Sequence, residues 1–376
     1  MRFVWAELRQ MQSEKLLAIT PSPDVSDVWL LNYTDRAQYA DVWEAYPTLL
    51  DCRGTIIDGS GQVLAKPFRK FFNLGERPET SAGVLAPFGV PQITHKLDGS
   101  MITLWRAAPG ERVRFATRGS FTSPQAKIAD VLWHITKGHD AHIAALLNPA
   151  YTYVFELVSP RNRIVVQYDA EDLALIGVIE TETGYEHPYP TLVQQASRLG
   201  LPLVPLYDAD PENWAAMHTL PLPNFEGFVL FWPAAQRRVK VKLAEYLRLH
   251  RLITGLSERT VWELLRTGQG TDNLRREIPE EMRPWLDNVQ SALEARFAAY
   301  EGRMREALTA IAARGLDVTD RAQRKEVAAL IVRDYPQERG VLFAALDGKN
   351  SRDLIWREME PKNHESLWSM QGKADE

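Results

Sequence analysis

A single cysteine, Cys52, stands in 376 residues, so no disulfide can form within the chain. This usage fits a reducing compartment such as the cytoplasm. No apolar run approaches the roughly 20 residues that span a bilayer; residues 173–179 are among the longest and are strand-sized. The start, Met1-Arg2-Phe3-Val4-Trp5-Ala6-Glu7, turns charged too soon for the apolar centre of a signal peptide. Excess positive charge is lacking too. A formal net charge of −5 argues against coating nucleic acid by overall charge, but leaves room for a locally basic groove, because fields are screened over about 8–10 Å. Internal repeats and low-complexity segments are absent.

What is present is the balance of an ordinary globular protein, 45% hydrophobic and 25% charged. Up to about residue 242 the texture is strand-rich α+β. Short runs of β-branched or aromatic residues over 54–58, 102–106, 151–158, 173–179 and 227–232 are bounded by Gly, Pro or Asp. Helices are expected over 124–137 and 191–199, and the proline-bearing stretch 202–223 reads as an irregular connection. After Leu243 the period changes to that of helices. Trp285, Val289, Leu293, Phe297, Tyr300, Met304, Leu308 and Ile311 form a stripe that Gly315 ends, and a further helix is expected over 320–334. The expected organisation is an α+β domain of antiparallel sheets with flanking helices over 1–243, then an all-α domain over 244–376.

Chemistry-bearing residues cluster in the first part. Lys96-Leu97-Asp98-Gly99-Ser100 taken alone is a hairpin turn between strands over 92–95 and 101–106. Around it stand Arg53-Gly54, the run from Lys66 to Glu76 with Lys70 and Phe72, Arg118-Gly119-Ser120, Phe155–Pro160 with Glu156, Glu226-Gly227-Phe228-Val229, and Val239-Lys240-Val241-Lys242. Each has an ordinary explanation: a core phenylalanine, a structural ion pair, the outer face of an edge strand. Their arrival together and in this order does not. Cations also gather at Lys66, Arg69, Lys70 and Arg77, at Arg112, Arg114 and Arg118, at Arg161 and Arg163, and at Arg237, Arg238, Lys240 and Lys242; a single such cluster is usually a solvated face.

The set fits nucleotidyl transfer. A lysine amine that attacks a phosphorus atom must be neutral, yet its ordinary pKa is about 10.4, so neutrality near pH 7 costs over ~4 kcal/mol without tuning. Lys240 and Lys242, two apart on a strand, share a face and are expected to depress the pKa of Lys96 while holding a triphosphate. Glu156 and Glu226 would hold a divalent metal directly or through water, which suits magnesium. Cations and metal would together neutralise the transferring group.

With these segments the chain resembles the covalent nucleotidyltransferase superfamily and, within it, the bacteriophage-type RNA ligase 1 family. Lys96–Ser100, Phe155–Pro160 with the tail Arg161-Asn162-Arg163-Ile164-Val165, Glu226–Val229 and Lys240–Lys242 match its motifs. Lys70–Leu74 and Asp51–Gly54 match further family segments. The resemblance is dense over about 30–250 and thin beyond. It implies that ATP adenylates Lys96, that AMP passes to an RNA 5′-phosphate, and that a 3′-hydroxyl then displaces it. It also implies that Arg53, Lys70, Lys240 and Lys242 contact ATP and that Glu226 contacts ribose or metal. Glu156 would belong to the metal and nucleotide pocket, Val229 would line the adenine pocket, and Asp272, in Thr271-Asp272-Asn273-Leu274, would bind magnesium, with manganese as an alternative. Arg118 stands where the family often has lysine. The expected nucleotide tyrosine aligns with Leu31, with Tyr33 two residues on.

DNA ligases and mRNA-capping guanylyltransferases share the chemistry but usually carry a β-barrel after the last motif, where this chain turns helical. An inactive RNA-binding relative would have lost Lys96 or a carboxylate. The implied partner is RNA with 5′-phosphate and 3′-hydroxyl ends, a nicked tRNA among the candidates. End healing would then fall to a separate kinase and phosphatase.

Overall fold

The computed structural model describes residues 1–136, 145–160, 165–207, 213–278, 282–316 and 320–362. The segment Arg161–Ile164, which begins the tail after Phe155–Pro160, and Lys137 lie outside them. Two compact units are formed, Met1–His250 and Arg251–Asp375.

The first unit holds eleven named strands: β1 (Leu17–Pro21), β2 (Val28–Tyr33), β3 (Arg53–Asp58), β4 (Val63–Ala65), β5 (Gln92–Lys96), β6 (Ser100–Trp105), β7 (Arg114–Thr117), β8 (Tyr151–Val158), β9 (Asp172–Glu180), β10 (Gly227–Trp232) and β11 (Arg237–Lys242). They make three sheets, ordered β1-β2-β3-β4, β11-β10-β5 and β7-β6-β8-β9, with antiparallel pairing between neighbouring strands.

This topology corrects the reading of Lys96–Ser100 as a hairpin turn. β5 pairs with β10 and β6 with β7 and β8, so the turn carries the chain from one sheet to another. Gly99 is needed there by crowding, since a Cβ would lie 2.2 Å from the carbonyl oxygen of Leu157.

One core packs the β6–β9 sheet against the helices Pro124–Val131 and Tyr189–Leu199 through Trp133, Tyr153, Phe155 and Leu199. A second joins the helix Trp5–Ser13 to Leu31, Tyr33, Trp43, Leu49 and Phe72. In the second unit the named elements after the helix Ala244–Gly255 are again helices: Glu258–Arg266, Asp272–Glu277, Arg283–Ala312, Arg321–Asp334, Arg339–Leu346 and Ser351–Glu358. The expected stripe lies along Arg283–Ala312. Leu293, Phe297 and Tyr300 are buried with Trp262 and Trp356, and Ile311 joins a neighbouring core with Val327 and Leu330. Fully burying side chains of this size is worth ~1.5–3 kcal/mol each, so the helices have a core of their own.

Candidate active site

The register of the β11-β10-β5 sheet assembles the centre. Gly227 lies opposite both Lys96 and Lys242, and Val229 opposite both Thr94 and Lys240. Residues directly opposite in antiparallel strands share a face, so Lys96, Val229, Lys240 and Lys242 share one. Gly227 has no room for a side chain: a Cβ would lie 2.1 Å from the carbonyl oxygen of Val241. Glu226, just before β10 and 2% exposed, spans the two lysines. Its Oε2 accepts from Lys96 Nζ at 2.7 Å and its Oε1 from Lys242 Nζ at 2.9 Å.

The electrostatics correct one expectation. Burial works against the charge on Lys96, but Glu226, then Glu156, outweigh it, and the Lys96 pKa is raised rather than depressed. Lys240 is the lysine pushed down, to about 7, by burial and by the charges of Lys96, Lys70, Arg53 and Lys242. The register puts a carboxylate beside Lys96 and Lys242 and none within ion-pair distance of Lys240 among the described residues. Glu156, opposite Met101 on β8, is raised to about 7 by burial, with Lys96 acting in the other direction.

Arg53 begins β3. Its Nη1 contacts Met101 Sδ at 3.0 Å, and burial lowers its pKa, with Tyr33 acting in the other direction. Lys70 Nζ lies over the rings of Tyr33, Trp43 and Phe72 at 5.2, 4.9 and 4.8 Å. Arg118 lies over Tyr33 at 5.5 Å. Leu31 and Tyr33 are both buried on β2, and Tyr33 is the one that meets these cations. Phe72 is both a core residue and part of the surface under Lys70; its neighbour Asn73 bridges to Lys240.

Most other cations have ordinary partners. Lys66 pairs with Asp51 at 2.7 Å, Arg112 with Asp130 at 3.0 Å, Arg114 with Glu111 at 3.6 Å and Arg238 with Glu186 at 2.6 Å. Arg77 pairs with Asp41, Glu44 and Glu79. Arg53, Lys70, Arg118 and Lys240 differ in having no such carboxylate among the described residues.

Asp98 stands in the segment Lys96–Ser100, where the sequence alone assigns it no role. Its Oδ2 accepts from the backbone N–H groups of Val165 and Val166 at 2.8 and 2.9 Å, its Oδ1 from the Tyr246 hydroxyl at 2.8 Å, and its own N–H donates to Tyr168 Oη at 2.9 Å. It fixes the loop behind Lys96. Its burial at 3% exposure is the kind of feature an acidic residue in a turn does not advertise in sequence. Asp272 lies in the second unit, exposed, in the first turn of its helix.

Among the described residues no group of three or more His, Cys, Asp or Glu is placed to hold a metal. The donors at the centre are the carboxylates of Glu156 and Glu226, oxygen ligands that suit a hard divalent cation keeping water and phosphate oxygens in its shell.

A family model described as RNA ligase matches residues 51–246. A putative RNA ligase of Thermovibrio ammonificans is 32% identical over 223 residues, 56% of this chain and 55% of that protein, so the match spans about half of the relative's length. The RNA ligase of Rhodothermus phage RM378 is 25% identical over 397 aligned positions, covering 87% of this chain and 86% of the phage protein. Among solved structures, an archaeal ATP-dependent RNA ligase aligns over 92% of this chain and 96% of its own, with 15% identity and a TM-score of 0.47.

Proposed function

We propose that this chain, which belongs to the RNA ligase family, joins RNA ends at the expense of ATP through AMP carried on Lys96. The observation that carries this reading is the buried Glu226 carboxylate with Lys96 and Lys242 on its two oxygens, beside cations without carboxylates of their own. In the first step Lys96 Nζ, having lost its proton, attacks the α-phosphorus of ATP; the N–P bond forms and pyrophosphate leaves. An RNA 5′-phosphate oxygen then attacks that phosphorus and frees Lys96. Finally a 3′-hydroxyl attacks the activated 5′-phosphate and AMP leaves.

In the resting site Lys96 is protonated and paired. Negative phosphates entering the face compete with Glu226 for Lys96 and Lys242; Arg53 and Lys70 supply the charge that draws them in, and their arrival favours the protonated form of Lys240. Val229 offers apolar surface to the base. A magnesium ion, for which manganese can substitute, would be held by Glu156 and Glu226 and would neutralise phosphate charge. In this proposal a helical C-terminal domain over 244–376 selects the RNA, Asp272 is a metal ligand, a nicked tRNA is among the substrates, a separate kinase and phosphatase heal the ends, and the work takes place in the cytoplasm.

The test is direct. Incubation with ATP and magnesium adds the mass of AMP at Lys96, GTP gives no adduct, and Lys96→Ala abolishes it. An adduct mapped to another lysine rules the mechanism out. Joining of a panel of 5′-phosphorylated RNA and DNA strands, linear and nicked, then identifies the substrate.

A further inference from the structure

Lys70 is held by rings, and among the described residues no carboxylate pairs with it. Its backbone is fixed by the N–H donating to the Leu50 carbonyl at 2.7 Å. Its ammonium is bounded by three ring faces from three separate segments: Tyr33 at the end of β2, Trp43 in the 40–46 stretch, and Phe72 two residues on. The rings brace one another edge to face, Tyr33 against Trp43 at 5.0 Å between centroids and Trp43 against Phe72 at 6.1 Å. Trp43 is buried, 4% exposed. Its segment is tied down by Arg77, which pairs with Asp41 and Glu44 and itself lies over Phe72 at 5.0 Å.

We propose that Trp43 is a positioning residue for Lys70, orienting its ammonium toward the ATP phosphates without neutralising it; this rests on the ligase reading above. A lysine side chain loses rotamer entropy when fixed. A carboxylate would fix it, but would also cancel the charge and occupy the N–H donors that a phosphate needs. Ring faces attract the ammonium through their quadrupole, most strongly for tryptophan, and leave it a full cation. The arrangement therefore combines a fixed direction with an undiminished charge. Trp43 acts on the nucleotide only through Lys70.

The experiment is a double-mutant cycle on the full chain, read as single-turnover AMP transfer to Lys96 against ATP concentration. Trp43→Leu raises the half-saturating ATP concentration about 10-fold and leaves the maximal rate within about threefold, and Trp43→Phe, which keeps a ring, recovers most of the loss. In the Lys70→Ala background Trp43→Leu changes the half-saturating concentration less than about twofold, because the group it positions is gone. The same loss with and without Lys70 overturns the proposal, since that is how a structural tryptophan behaves. If Trp43→Leu fails to fold, Trp43→Phe runs the same cycle on a smaller effect, and additivity again overturns it. A wild-type protein that transfers no AMP at any ATP concentration overturns the ligase reading and this proposal with it; an additive cycle on an active enzyme overturns this proposal alone.

Discussion

Glu156 illustrates what a buried carboxylate costs the fold. Its folded pKa of about 7 lies above the ordinary carboxylate value of about 4.3. The contribution of this group is therefore fully present below pH ~4 and lost as pH rises through 7. Relative to wild type, Glu156→Gln is expected to be equally stable at pH 4 and more stable at pH 8, by roughly 1–3 kcal/mol, while AMP transfer falls sharply. Urea unfolding at the two pH values checks this; a difference that does not grow with pH contradicts the raised pKa. For Lys96 the sign is set by its carboxylates. With its pKa raised, AMP transfer at saturating ATP should climb with pH across 6–9. Glu226→Gln removes the main group that raises it and moves that rise to lower pH, and an unmoved profile would show that Glu226 does not control the proton. The sequence brings Lys96, Glu156 and Glu226 to one site, but not the direction of these shifts. Lys240 and Lys242 were visible as cations on one face, but Glu226 lies 130 residues from Lys96, and only the Gly227–Lys96 register brings its charge there.

Among the secondary-structure elements, strands with β-branched or aromatic runs and clear borders, such as β8, β9 and β10, were readable. β2 was not, because it is buried on most of both faces, and a continuous apolar run carries no period that separates strand from helix. β7 is four residues with arginine at its start and looks like surface. The 96–100 turn reads locally as a hairpin, whereas choice of partner strand is decided by residues far along the chain. The helical stripe ending near Gly315 was readable because periodicity is a local property. Gly227 is the sharpest test of the central sheet. Gly227→Ala places a methyl group against the Val241 carbonyl, and is expected to cost at least ~2 kcal/mol and to spoil the opposition of Lys96 and Lys242. A thermal melt unchanged from wild type would show that β10 and β11 separate easily.

At the scale of the whole chain, the side chains proposed for adenylate transfer other than Asp272 belong to the unit Met1–His250, and the second unit packs its own core around Trp262, Phe297 and Trp356. A chain ending after Gly255, which keeps the helix Ala244–Gly255 whole, is expected to retain AMP transfer and to lose discrimination among structured RNAs. Asp272→Ala in the full chain separates the two roles: loss of AMP transfer there assigns the aspartate to the first step, and unchanged transfer leaves it to RNA selection or to the fold. A truncated protein that discriminates as well as the full chain places selectivity in the first unit.

The pairing of Lys96 with Glu226 has one more consequence, for how a population of these molecules can be sorted. A lysine joined to AMP through nitrogen has given up its positive charge, and the phosphate it carries brings a negative one. Loading thus leaves Glu226 with Lys242 as its lysine partner among the described residues and makes the whole molecule more acidic. On a chain whose isoelectric point is already near 6.0, charged and empty molecules should run as separate bands in native isoelectric focusing. Pyrophosphate should return the acidic band to its starting position, so the state of one nitrogen atom can be followed without a label.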